Sequence, residues 1–311
     1  MHLNRRSFFK ETVTSCSTLF FSAKAARQLA DEKACITLLH TNDMHSQLQP
    51  FPMDGGRWQG RGGIQARAAL IQEIRKTTAQ VLLFDSGDFF QPSPLFSLYK
   101  GEPEIKAMSL LRYDAVTLGE HDFDAGIDNL SHQLQHASFA VVNCNYDFSA
   151  TSMKERVVPY KTFEKGIIKA GVFGIGIDLK GQTQANLYGN TKCLDPIAAA
   201  NETANVLRTK EYCNLVICLS HLGDKYFDMG IMSDERLAQQ SYDIDVILGA
   251  HTHRFFDAPR VYKNRRNSDV VVHQAGWGGL ALGRLDINIS GGGKKNLVHT
   301  NTVIIGEKTS D

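Results

Sequence analysis

Charge of one sign is what this 311-residue chain has least of: 34 Lys plus Arg stand against 33 Asp plus Glu, for a formal net charge of +1. That balance gives no attraction to a polyanion, so neither nucleic acid nor an anionic membrane surface is an expected partner. Long apolar runs are also missing. The nearest, the uncharged segment from Thr12 to Ala23, is shorter than the ~20 residues that span a bilayer, so no transmembrane span is expected. There is no repeat at a solenoid or propeller period and no linker, and the one Gly-rich run, Gly291 to Gly293, reads as a short turn. Apart from Cys16, the cysteines are Cys35, Cys144, Cys193, Cys213 and Cys218. Odd in number and mostly set in apolar runs such as Leu215 to Leu219, they read as free small hydrophobes rather than a disulfide framework. The remaining composition, 42% apolar, is ordinary globular protein with enough chain for one large domain or two small ones.

The amino terminus has its own pattern. Asn4-Arg5-Arg6-Ser7-Phe8-Phe9-Lys10 precedes a modest apolar stretch through Leu19, Phe20 and Phe21 and a small-residue exit, Ala23-Lys24-Ala25. Adjacent arginines, an apolar region and an A-x-A site predict a twin-arginine-type signal peptide over residues 1–25, cut after Ala25, and hence a periplasmic or extracellular protein. A basic start to a surface helix is the bland alternative, which the uncharged run and small-residue exit disfavour. Val13-Thr14-Ser15-Cys16 imitates a lipoprotein cleavage site but has no adequate apolar region before it, so lipid anchoring at Cys16 is the minor reading. Twin-arginine export carries folded proteins, which suits a chain with free thiols.

From residue 35 onward, short β-branched runs alternate with amphipathic stretches. The runs Cys35 to Leu39, Val81 to Phe84, Ala115 to Leu118, Phe139 to Val142, Ile167 to Ile177, Leu215 to Leu219, Val246 to Leu248 and Val270 to Val272 predict buried strands. Ile64 to Arg75, Glu102 to Leu111, Ile127 to Gln135, Pro196 to Lys210 and Glu235 to Gln240 predict the helices between them. This is α/β architecture. In such sheets ligands bind beyond the carboxyl ends of strands, and there the chain places Asp43 and His45, Asp88, Glu120 and His121, His221, and His251 and His253. Each is a metal-ligating residue type. Any one alone is a common helix cap or satisfied core polar group; the weight lies in the order Asp43-Met44-His45, Ser86-Gly87-Asp88, Gly119-Glu120-His121-Asp122, Ser220-His221 and Gly249-Ala250-His251-Thr252-His253. His132 and His136, four apart on a helix, lack the Glu of a zincin and read as a solvated face.

These motifs in this order resemble the calcineurin-like metallophosphoesterases, specifically the catalytic domain of the 5′-nucleotidase and UDP-sugar hydrolase family. The likeness runs from about Ile36 to Asp286, with Gly62-Gly63, Arg67, Asn143-Cys144-Asn145 and Gln274-Ala275-Gly276 in support. It implies a four-layer αββα sandwich over residues 34–311. It also implies two divalent cations (Mn²⁺, Zn²⁺ or Fe²⁺), one on Asp43, His45, Asp88 and His253, the other on Asp88, Glu120, His221 and His251, with Asp88 bridging. Imidazole with carboxylate suits those ions better than Ca²⁺. A water activated between the cations would attack phosphorus, while His121, oriented by Asp124, would stabilise the transition state. The implied substrate is a small phosphoester such as a nucleoside 5′-monophosphate or a nucleotide sugar.

Two departures qualify the likeness. Glu120 stands where the family pattern has Asn, adding a negative charge that should hold cations more tightly while weakening their Lewis acidity and repelling a dianionic phosphate. The segment after Gly291 is also too short for the C-terminal nucleotidase domain of full-length members, which stacks the nucleobase. Either a separate chain carrying that domain is a partner, or phosphoesters are accepted broadly; Trp58, Phe89, Phe90, Phe96 and Trp277 are candidates for a docking or substrate surface, with core packing their commoner fate. The rival functions are a thiosulfohydrolase-like sulfur-ester hydrolase of the same superfamily and a non-catalytic metal- or phosphate-binding subunit.

Overall fold

The structure, a computed structural model, describes residues 33–228, 230–290 and 295–306. The expected signal segment with Cys16 and the Gly291 to Gly293 turn lie outside the described residues. The strands are β1 (Lys33–Thr41), β2 (Val81–Asp85), β3 (Ala115–Val116), β4 (Ala140–Val142), β5 (Tyr146–Asp147), β6 (Val157–Val158), β7 (Tyr160–Lys165), β8 (Ile168–Ile175), β9 (Lys192–Cys193), β10 (Leu215–Ser220), β11 (Val246–Leu248), β12 (Arg260–Lys263), β13 (Asp269–His273), β14 (Ala281–Ser290) and β15 (Lys295–Ile304). The helices are α1 (Ile64–Thr77), α2 (Pro94–Tyr99), α3 (Glu102–Leu110), α4 (Ile127–Gln133), α5 (Ala185–Tyr188), α6 (Pro196–Thr209) and α7 (Asp234–Gln240). One sheet has the order β15-β14-β1-β2-β3-β4-β6, the other β12-β13-β11-β10-β8-β7, and β5 and β9 form a small ribbon.

Alternation along the strands sets the layers. In β2, Leu82 and Phe84 join Ile36, Val172, Ile217 and Leu248 in a core between the sheets, while Leu83 faces outward onto Ile71, Ile105 and Met108 of α1 and α3. In β10, Ile217 faces the inner core and Val216 and Cys218 face Ala204, Leu207 and Leu237 of α6 and α7. Full burial of each such aliphatic side chain contributes roughly 1.5–3 kcal/mol. Helix, sheet, sheet, helix is the expected αββα sandwich. The helices form where local signals favour them: α6 opens on Asp195, whose carboxylate accepts the Ala198 N–H at 2.7 Å ahead of Pro196 at the first turn, and buries Ala200, Ala204 and Leu207 on one stripe.

Differences from the sequence expectation are local. The helix expected over Ile127 to Gln135 ends as α-helix at Gln133 and finishes as a 3₁₀ turn, Leu134–His136. Strands β14 and β15 extend the first sheet beyond β1, antiparallel, with Lys33 opposite Ser290 and His40 opposite Gly283. β14 alternates buried with half-exposed residues along most of its length, and β15 is half-exposed or exposed throughout and largely polar, a weaker signal than the continuous apolar runs of the inner parallel strands. Phe89, Phe90 and Phe96 are fully buried in the outer core and form no surface.

Candidate metal centre

Register brings the strand ends together. β1 and β2 are parallel with Thr41 opposite Asp85, and β10 and β11 are parallel with Leu219 opposite Leu248. The residues that follow, Asp43 and His45, Asp88, His221, and His251 and His253, therefore enter one cluster of loops at one edge of the sandwich, where Glu120 and His121 arrive after β3. The two sheets are tied there by hydrogen bonds: the Ser86 hydroxyl donates to the Leu248 carbonyl at 2.7 Å, and the Cys144 N–H to the Gly174 carbonyl at 2.9 Å.

The side chains converge in overlapping groups, Asp43 with His45 and His253, Glu120 with His221 and His251, and Asp88 with Asp43 and His221, each with ligand atoms within 4.8 Å of one another. His45 Nε2 lies 2.8 Å from His253 Nε2. His221 Nε2 lies 3.2 Å from both Asp88 Oδ2 and Glu120 Oε2, and His251 Nδ1 lies 2.9 Å from Glu120 Oε1. His221 is aimed by its other nitrogen, Nδ1, which donates to the Ser86 carbonyl at 2.7 Å. That arrangement fixes the tautomer and turns Nε2 toward the cluster.

The backbone is held in an uncommon state for this purpose. Asp43, His45, Asp88, His251 and His253 all have φ between 49° and 68°, the left-handed region that non-glycine residues seldom occupy. Each such residue costs about 1–3 kcal/mol, so the surrounding contacts must over-determine it. Gly87, at φ 92°, has no room for a side chain: a Cβ there would meet the Gly119 nitrogen at 2.5 Å. At Gly119 a Cβ would overlap Asp88 Oδ1. The glycines let the β2 and β3 loops close on each other.

The titratable groups of the site shift in opposite directions. Burial pushes Asp43 well above the ordinary carboxylate range. Burial would raise Glu120 too, but the imidazoles of His221 and His251 hold it well below. His253 is depressed to about 4 by burial and then by neighbouring His45. His121 is raised to about 9, chiefly by its hydrogen bond to Asp124, Nδ1 to Oδ2 at 2.9 Å. His221 Nε2, His251 Nδ1 and Glu120 Oε2 are buried and meet one another and Asp88, a gathering of imidazole and carboxylate donors that a divalent cation would complete. The mixed nitrogen and oxygen donors fit Zn²⁺, Mn²⁺ or Fe²⁺ rather than Ca²⁺.

All the expected ligands fall in this cluster, and His121 also groups with Asp88 and Glu120, its ring 5.3 Å from that of His45. His132 is exposed on α4 and belongs to no metal-holding group among the described residues. Three supporting residues are not among the expected site residues. Asp122 accepts the N–H groups of Asp88 and Gly119 on Oδ2 at 3.0 and 2.8 Å and of Phe90 on Oδ1 at 3.1 Å, joining the β2 and β3 loops. Asn42 donates to Asp43 and to the Gly276 carbonyl, both at 2.6 Å. Gln274 donates to the Ala250 carbonyl and accepts from Thr252. Asp122 and Gln274 stand within the motifs and Asn42 beside one, but what they bond lies across loops and is not legible there.

The comparisons with known proteins agree with this geometry. The chain is 29% identical over 307 residues to a snake venom 5′-nucleotidase of Gloydius brevicauda, covering 92% of this chain and 51% of that protein. It is 29% identical over 291 residues to a 5′-nucleotidase of Homo sapiens, covering 87% and 49%. The chain thus spans about half the length of these curated relatives. Among solved structures, a 5′-nucleotidase precursor from Thermus thermophilus superposes with a TM-score of 0.78 at 30% identity, over 88% of this chain and 55% of that one. Residues 36–255 match the calcineurin-like phosphoesterase family, more than half of the chain, and to that family the chain belongs.

Proposed function

We propose that residues 34–311 form a two-metal phosphoester hydrolase acting on nucleotides, with Asp43, His45, Asp88 and His253 holding one cation and Asp88, Glu120, His221 and His251 the other. The observation that carries this reading is the convergence of imidazole and carboxylate atoms, most of them buried, from loops of both sheets. When bound, two divalent cations supply Lewis acidity toward a phosphoryl oxygen and acidify water. The chain's own part is to position and to donate. Asp88, whose Oδ1 accepts the His121 N–H at 2.9 Å, fixes the start of the His121 turn against the ligand cluster. His121, with Nδ1 occupied by Asp124, keeps Nε2 as a donor for charge building on a phosphoryl or leaving oxygen. The likeness to proteins named 5′-nucleotidases supports a nucleotide as substrate.

Export through residues 1–25 belongs to the same proposal. Among the described residues no helix is long and apolar enough to cross a membrane.

The test is hydrolysis of AMP, UDP-glucose, ATP, p-nitrophenyl phosphate and a thiosulfonate by chain stripped of metal and reloaded with Mn²⁺ or Zn²⁺. Metal-dependent phosphoester turnover is expected, with His121→Ala retaining metal and losing about 10²–10⁴-fold in kcat. Turnover of the thiosulfonate alone would establish the sulfur-ester reading, and metal binding without any turnover the non-catalytic one.

A further inference from the structure

Both tryptophans of the chain sit at the mouth of the metal centre and outside all three apolar cores. Trp277 is half-buried and stacks on the ring of His253, centroids 5.7 Å apart at 14°, with Phe51 edge-on to it at 5.5 Å. Trp58, also half-buried, stacks on Phe255 at 5.3 Å and 22°, and the exposed Arg57 carries its guanidinium carbon 4.6 Å from the indole centroid. Phe255 is two residues from His253, so the ledge begins at the metal donors themselves. It is also built on bare backbone: a Cβ at Gly276 would overlap the Phe255 ring, and one at Gly278 would meet the Phe51 ring at 2.9 Å. The loop bearing Trp58 is closed by Phe51 N–H to the Arg61 carbonyl and Gly60 N–H to the Phe51 carbonyl, each 2.9 Å.

Rings needed only for packing lie in a core, as Phe89, Phe90 and Phe96 do. Half-exposed indoles fixed beside a phosphate-sized cluster of metal donors offer π-faces and edges to a ligand held at that cluster. Bases stack on such rings irrespective of sequence, and a neighbouring guanidinium adds cation–π attraction. We infer that Trp58, Phe255 and Trp277, with Arg57, form a stacking ledge on which this domain itself receives the planar ring of its substrate's leaving group, a nucleobase. The inference rests on the proposed hydrolase reading for the phosphate end of the ligand and stands on its own for the base end.

Because the chain's only tryptophans are here, its intrinsic fluorescence reports on the ledge. Adenosine added to metal-stripped protein is expected to quench it saturably, while ribose does not. In Trp277→Phe the quench persists through Trp58; Trp58→Leu weakens adenosine binding by about tenfold, and Trp58→Phe, which keeps a ring, restores most of it. In the metal-loaded enzyme, Trp58→Leu raises KM for AMP about tenfold more than KM for ribose 5-phosphate. Absence of quenching, quenching by ribose equal to that by adenosine, or KM values that move together for the two phosphates would overturn the ledge. The binding readout needs no turnover. Quenching without hydrolysis of any ester would keep the ledge and sink the hydrolase reading, and hydrolysis without quenching would do the reverse.

Discussion

Two residues show how charge and burial set behaviour here. Glu120 places a full negative charge between His221 and His251, where the family pattern has a neutral amide. At an effective dielectric of ~20 a unit charge ~4 Å from a cation contributes about 4 kcal/mol, enough to decide both retention and reactivity. Glu120→Asn is therefore expected to release metal at least tenfold more readily, read by metal content after dialysis, and to raise kcat on AMP. Unchanged metal content together with an unchanged rate would remove the charge argument. The second case is His40 and His273, hydrogen-bonded at 2.8 Å with both side chains wholly buried. Burial holds both below the ordinary imidazole range, His273 at about 4, against about 6.5 when unfolded. The unfolded chain thus binds more protons between those values, and stability falls as pH drops from about 6.5 to 4, by about 1.4 kcal/mol per pH unit for His273. Denaturant midpoints for the parent and His273→Gln are expected to converge as pH falls through that window; parallel lines would place the proton uptake elsewhere.

At the scale of elements, the centre depends on how loops are fastened to strand ends. Asp122 lies within the 3₁₀ turn after β3, His121–Phe123, yet bonds the backbone of the β2 loop, so one carboxylate sets the distance between Asp88 and Glu120. Asp122→Asn puts an amide NH₂ in place of one acceptor oxygen, against N–H groups that are themselves donors, a loss of about 1–3 kcal/mol. Metal affinity is expected to fall roughly 10–100-fold, as for other groups that orient ligands, with the fold retained by circular dichroism. An effect on melting without any effect on metal affinity would show that Asp122 merely holds the turn.

For the whole molecule, the proposed ligands come from both sheets: Asp43, His45, Asp88 and Glu120 from loops of the first, His221, His251 and His253 from the second. Cations bound there would pin the open edge of a sandwich that is otherwise joined mainly by its apolar middle. Binding at a free metal concentration 100 times Kd adds about 2.7 kcal/mol, which at this size raises Tm by several degrees. Chelation should lower the melting temperature by that amount and either Mn²⁺ or Zn²⁺ should restore it. A melting curve indifferent to chelator would mean the two sheets do not share a metal.

The sequence alone determined the strand runs, the α/β class and which strand ends carry Asp, His and Glu. Those signals are local: burial on both faces demands continuous β-branched runs, and ligand residues beside glycines are legible one after another along the chain. Only the tertiary structure decided which loops meet, because the meeting atoms are remote: His45 and His253 are 208 residues apart, His40 and His273 are 233 apart. It also decided the placement of β14 and β15 beside β1, the role of Asp122, and the separation of Phe89, Phe90 and Phe96 in the core from Trp58 and Trp277 at the mouth. No periodicity distinguishes a ring that packs from a ring that waits for a ligand, since both are apolar in sequence and differ only in what the folded chain brings to their faces.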